Sequence, residues 1–96
     1  MGTRTGIKES AVESHLRREV IKAGGVVRKL QWINHRNAPD RIVFLNGIWF
    51  VELKRPGEKP RPSQLREHAR MRGHGAKVFV IDTKEQVNEF IKDICR

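Results

Sequence analysis

The sequence predicts an α/β fold, a mixed sheet flanked by helices in the order αβββαβα. Three observations carry this expectation: a well-signalled β-hairpin in the middle of the chain, helical stretches bounded by recognisable end signals, and a length that suits one core. Ninety-six residues make a single domain, because a core of that size cannot be divided into two stable parts.

Taken in order, Met1 to Lys8 carries charge but no apolar core and reads as a flexible N-terminal arm, not a leader. The single domain then spans residues 9–96. Its first helix is expected from about Glu9 to Ala23, with Leu16, Val20 and Ala23 on one stripe. Gly24-Gly25 stops it. A strand follows from Val26 to Trp32, then a polar loop.

Two apolar runs, Arg41 to Leu45 and Ile48 to Lys54, flank Asn46-Gly47, a strong hairpin dipeptide. A two-residue turn would pair Leu45 with Ile48 and send Asp40 to the face opposite Glu52. A three-residue loop, Leu45-Asn46-Gly47 with Gly47 left-handed, pairs Phe44 with Ile48 and hence Asp40 with Glu52. The three-residue loop is therefore expected. One face then carries Asp40, Ile42, Phe44, Ile48, Phe50, Glu52 and Lys54, and the other Val43, Leu45, Trp49, Val51 and Leu53. With apolar residues on both faces, the hairpin should be central and covered on both sides.

The second helix is expected from Gln64 to Arg72, capped by Ser63 and ended by Gly73. A strand from Lys77 to Ile81 follows. Thr83-Lys84-Glu85-Gln86 is a capping box for a last helix from Lys84 to Ile94, whose Val87, Phe90, Ile91 and Ile94 form a core stripe.

Lys and Arg number 20 against 11 Asp and Glu, a formal charge of +9. A polyphosphate partner is the natural inference. No apolar segment is long enough to span a membrane, and no basic amphipathic helix dominates. The single Cys95 excludes an intramolecular disulfide framework and suits a reducing cytoplasm; it reads as a small packing residue. The four histidines show no HxxxH or Cys/His spacing, so a zinc site is not expected.

The chemistry lies in Asp40, preceded by Pro39, and in Glu52-Leu53-Lys54. Two carboxylates can hold Mg²⁺ through hard oxygens and leave positions open for water and a phosphate oxygen. A lysine beside them supplies charge where negative charge builds up. Glu52 and Lys54, two residues apart on a strand, share a face. They also continue the most hydrophobic stretch of the chain, Ile48 to Val51, where unpaired charge is costly and tends to mark function. An ion pair on a solvated face is the competing reading.

Pro39-Asp40, Glu52-Leu53-Lys54 and Gln64 on the next helix resemble the PD-(D/E)XK nuclease superfamily and its restriction-endonuclease-like core. The segments Phe50 to Gly57, Arg61-Pro62-Ser63-Gln64 and Val78 to Asp82 resemble, more narrowly, the VRR-NUC domain, which occurs alone in small phage-type proteins. The similarity runs from about Lys8 to Ile94. It implies that Asp40 and Glu52 ligate Mg²⁺ or Mn²⁺ with the main-chain carbonyl of Leu53, and that Lys54 positions or activates water. Gln64 would orient the water, the lysine or the scissile phosphate. The superfamily also places a glutamate on its first helix; Glu13 is the choice here, with Glu9 its competitor.

Nucleic-acid contacts are expected from Asn34, His35 and Arg36 in the loop before Asp40, from Arg41, from Arg55, Lys59 and Arg61 in the loop after Lys54, and from Arg66 on the second helix, where Arg70 and Arg72 also lie. Trp32 is either a base-stacking residue or core. His68, one turn after Gln64, is positioned to support it.

The expected activity is metal-dependent, structure-specific DNA endonuclease action within a phage or bacterial cell interior, with a four-way (Holliday) junction the leading substrate. Paired cuts call for two active sites, hence a C2 homodimer, with apolar residues of the first helix or Trp32 as candidate contacts. A flap or nicking nuclease shares every catalytic residue. A basic DNA-binding protein without catalysis is the rival; it would be indifferent to metal and lose on the order of 10³-fold in affinity with salt for ~6 phosphate contacts.

Overall fold

The computed structural model describes the backbone of residues 7–96 and side chains from residue 11 onward. Its elements are α1 (Ile7–Lys22), β1 (Val26–Lys29), β2 (Arg41–Phe44), β3 (Ile48–Leu53), α2 (Pro62–Gly73), β4 (Val78–Ile81) and α3 (Lys84–Ile94). The αβββαβα order is the one expected. The strands form one sheet in the order β1-β2-β3-β4, antiparallel except for the parallel β3–β4 pair.

The hairpin takes the three-residue loop: Phe44 pairs with Ile48 and Ile42 with Phe50. Asn46 holds the left-handed conformation (φ 54°) and Gly47 follows at φ 141°. The asparagine therefore shares the role expected of the glycine alone, which its short polar side chain allows. Its amide also donates to the carbonyl of Ile94 at 2.9 Å, tying the turn to the end of α3.

The core lies between α1, α3 and one sheet face. Val12, Leu16 and Val20 from α1 meet Val43, Val51, Leu53 and Ile81 from the sheet and Val87, Phe90 and Ile94 from α3. Trp49, Phe79 and Phe90 pack edge to face in this layer, where such aromatic contacts add to area burial. Ala23 is exposed, because α1 has already ended. Gly24 turns the chain at φ 96°, and a Cβ on Gly25 would stand 2.7 Å from the carbonyl oxygen of Phe44.

Several boundaries differ from expectation for identifiable reasons. α1 begins at Ile7. β1 ends at Lys29, since the chain leaves the sheet to bring Trp32 toward α2. α2 begins at Pro62, with Arg61 as its N-cap; proline suits that first position because it has no amide hydrogen to leave unpaired. Ser63 is thus not the cap, and its hydroxyl lies 3.3 Å from Asn37 Oδ1. Gly75, at φ 94°, makes the C-terminal turn instead of Gly73. Cys95 is exposed beyond α3 and does not pack in the core.

The hairpin is central, but its second face is covered only in part. α2 lies over the end that carries Glu52 and Lys54, leaving Phe44 41% and Ile48 56% exposed at the other. Among the described residues, no helix is long and apolar enough to cross a membrane.

Candidate active site

The register of β2 and β3 sets Asp40, just before β2, beside Glu52. The Asp40 carboxylate does not hang free: its Oδ2 accepts from the Leu53 main-chain amide at 2.8 Å, and its own carbonyl accepts from Leu30 at 2.9 Å. The aspartate is thereby fixed to both neighbouring strands. Pro39, fully buried, sets its approach.

Glu52 is 2% exposed. Its Oε2 accepts from Gln64 Nε2 at 3.0 Å and stands 3.6 Å from Lys54 Nζ. Burial, reinforced by the nearby Asp40 charge and opposed by Lys54, pushes its pKa up to about 7. The lysine thus does not overcome the cost of burying a carboxylate beside a second one. Lys54 is itself buried, and its amide continues the parallel ladder to Ile81 at 2.9 Å.

Gln64 connects the site to α2. Its Oε1 accepts from the Arg61 amide at 2.8 Å, satisfying a free N–H at the helix start, while its Nε2 reaches Glu52. One amide therefore caps the helix and holds the carboxylate. His68, fully buried, stands against Glu52 and not Gln64: its Nε2 is 3.6 Å from Glu52 Oε1.

Glu13 projects from α1 toward the β1–β2 edge, where its Oε2 is 3.4 Å from Arg41 Nε and 4.0 Å from Arg17 Nε. Arg41 also donates to the Asp40 carbonyl at 3.0 Å, so Arg41 links the glutamate to the backbone of Asp40. The side chain of Glu9 lies outside the described residues.

The loop before Asp40 forms one wall of a cleft lined by Trp32, His35, Arg36, Asp40, Arg61 and Gln64. What secures it is Glu67, which sequence reasoning missed. Its Oε2 accepts from the Trp32 indole at 2.7 Å, and its Oε1 meets Arg70 at 2.8 Å and His35 at 3.4 Å. Arg70 and the indole hold the Glu67 pKa below the usual range despite burial. Trp32 is thus anchored by its polar edge. Its spacing to Glu67, 35 residues along the chain, offers no local signal.

Asn34, Arg36, Arg55, Lys59, Arg61 and Arg66 are exposed. Gly57 secures the loop after Lys54 by donating to Asp82 Oδ2 at 2.8 Å. Arg70 and Arg72, although exposed, bond to Glu67 and to the carbonyl of Val78, so they serve the scaffold.

Among the described residues no three His, Cys, Asp or Glu side chains gather as a ready metal cage. The oxygen donors present are two carboxylates with the Leu53 main chain between them. Glu52 Oε1, buried and without a hydrogen-bond partner, and the raised Glu52 pKa both fit a hard divalent cation.

A buried glutamate and an aspartate at the end of adjacent strands, with lysine two residues on and a helix glutamine behind, define the nuclease class typified by the PD-(D/E)XK core. No family model matches the sequence, but individual proteins do. A protein named "Putative nuclease p44" from Acyrthosiphon pisum secondary endosymbiont phage 1 is 51% identical over 81 residues, covering 82% of this chain and 87% of that protein. A solved structure described as a VRR_NUC domain superposes with a TM-score of 0.81 at 43% identity, covering 88% of this chain and 95% of that one. The chain belongs to the VRR-NUC nuclease family.

Proposed function

We propose that this protein is a metal-dependent, structure-specific DNA endonuclease. The observation that carries the reading is Glu52: a carboxylate 2% exposed, pressed against a second carboxylate and gripped by a lysine and a glutamine. An isolated structural ion pair would gain nothing from crowding two acids, whereas a cation site requires it.

Asp40, Glu52 and the Leu53 carbonyl would hold Mg²⁺ or Mn²⁺. The bound cation would supply Lewis acidity toward a phosphate oxygen and lower the pKa of water. Lys54 then places an ammonium where the attacking water and the developing phosphorane charge meet, which favours in-line displacement at phosphorus. Gln64 keeps Glu52 in one orientation. Asp40 is held by the Leu53 amide, so neither carboxylate must reorganise when DNA arrives.

His35, Arg36 and Arg61 line the cleft, and exposed Asn34, Arg55, Lys59 and Arg66 would add phosphate contacts. A bare catalytic domain of this kind suits recognition of DNA shape, and a four-way junction is the leading substrate. Symmetric cutting requires a C2 pair. The half-open sheet face with Val26, Phe44 and Ile48 offers apolar surface for such a pairing, a more favourable candidate than Trp32, whose indole is taken by Glu67. The expected compartment is a bacterial cytoplasm, where the lone Cys95 stays reduced.

Cleavage of labelled four-way junction, flap, duplex and single-stranded DNA by wild type and Lys54→Ala, in Mg²⁺, Mn²⁺ or EDTA, tests this. Metal-dependent paired cuts in the junction, lost in the variant, are the expected result. Cuts confined to flaps or nicks would retain the nuclease and change the substrate. Binding without cleavage would leave a non-catalytic DNA-binding protein.

A further inference from the structure

His68 is fully buried, yet neither ring nitrogen has a hydrogen-bond partner. Its Nε2 faces Glu52 Oε1 at 3.6 Å, and that oxygen is also without a partner. Buried polar atoms left unpaired are costly and call for a cause. Here two of them face one another across a gap only a few tenths of an ångström wider than a hydrogen bond.

The chemistry of the pair fixes its polarity. The ring's two polar atoms are Nδ1 and Nε2, and of these it is Nε2 that faces the carboxylate. As a cation ligand Glu52 would be ionised, and an ionised carboxylate only accepts. Nε2 is therefore the nitrogen that carries hydrogen toward Glu52. The other oxygen, Oε2, is already bonded by Gln64, one turn earlier on the same helix.

We propose that His68 is a positioning residue for cleavage: its Nε2–H closes onto Glu52 Oε1, and with Gln64 on Oε2 it fixes the plane of the carboxylate that holds the cation. The proposal rests on the nuclease reading above. α2 then holds the carboxylate by both oxygens. A ligand oriented by such partners binds metal more tightly than one free to rotate.

The alternative is that His68 merely fills space under α2, and the two roles predict different behaviour. Full-length wild type, His68→Leu and His68→Gln are compared by thermal unfolding in EDTA, by Mn²⁺ titration calorimetry without DNA, and by single-turnover cleavage across DNA concentrations. His68→Leu should keep or raise the melting temperature, because an unpaired imidazole has been removed. Its Mn²⁺ affinity should fall by about 10- to 100-fold, with the maximal cleavage rate at fixed Mn²⁺ falling alongside and the DNA concentration at half-maximal rate unchanged. His68→Gln, which retains an N–H donor, should recover most of the Mn²⁺ affinity.

A stable His68→Leu protein with wild-type Mn²⁺ affinity and cleavage overturns the proposal. So does a folded His68→Gln that binds Mn²⁺ no better than His68→Leu, or, where His68→Leu does not fold, a folded His68→Gln that has lost Mn²⁺ affinity. Unfolding of both variants also overturns it, in favour of a scaffold role. Wild type that neither binds Mn²⁺ nor cuts DNA removes the nuclease reading itself; normal wild type with unaffected His68 variants removes only this role.

Discussion

Gln64 joins Glu52 across the gap between α2 and β3, its Nε2 donating to Oε2 at 3.0 Å while its own Oε1 accepts from the amide of the N-cap residue Arg61. The bond makes helix placement and carboxylate orientation one quantity. Substituting Gln64 by leucine should cost about 1–2 kcal/mol, from the lost cap and the unpaired carboxylate oxygen. Cleavage rate should fall further than stability alone explains, as shown by chemical denaturation alongside single-turnover rates.

Glu52 makes the metal-free protein pH-sensitive. Its folded pKa, about 7, lies above the ordinary 4.5, so the native state retains a proton that the unfolded chain has released. Its favourable contribution is fully present below pH 4.5 and is lost as pH rises toward 7, on the order of 3 kcal/mol in all. Glu52→Gln should flatten this dependence and be more stable than wild type at pH 8 in EDTA, while losing cleavage. Equal pH profiles for the two proteins would refute the burial argument.

If Glu52 holds a cation as proposed, the same proton competes with it. At limiting Mg²⁺, cleavage should rise through roughly pH 7 and the midpoint should move to lower pH as Mg²⁺ is raised, because cation binding selects the charged carboxylate. Rate measurements on a pH and Mg²⁺ grid test this.

Lys54→Ala should abolish cleavage and spare DNA binding in Ca²⁺, since the role proposed for the ammonium is at the reacting phosphate and the side chain is buried. Loss of binding along with cleavage in an electrophoretic shift assay would assign Lys54 to phosphate anchoring.

Glu67→Gln should loosen the wall of the cleft. It weakens charge-assisted bonds to Arg70 and His35 and alters the indole contact, bonds of about 1.5–3 kcal/mol each when charged groups are involved. The expected result is a several-fold higher KM for DNA with a smaller change in kcat, accompanied by a change in Trp32 emission. A Trp49→Phe background isolates that signal.

The chain announced its hairpin clearly. Asn46-Gly47, flanked by apolar runs, specified the turn, and the need to bring Asp40 beside Glu52 selected the three-residue register that the β2–β3 pairing adopts. Thr83 capped α3 as its local pattern required, accepting from the Gln86 amide at 3.1 Å. Local signals misled where distant partners competed. Ser63 resembles a helix cap, yet Pro62 and the reach of Gln64 back to Arg61 moved the cap two residues earlier. Arg72 resembles a free cation of a basic helix, yet the open carbonyl of Val78 captures it.

By itself, then, the sequence determined the order of elements and the place of the hairpin, because alternation, capping and turn chemistry act over a few residues; its register followed from the requirement that Asp40 stand beside Glu52. Only the tertiary structure decided that Glu67 secures Trp32 and His35, that His68 faces Glu52, and that part of the hairpin's second face stays open. Those outcomes depend on where α2 crosses the sheet. That crossing is set by packing between segments far apart in the chain, for which no short-range pattern exists.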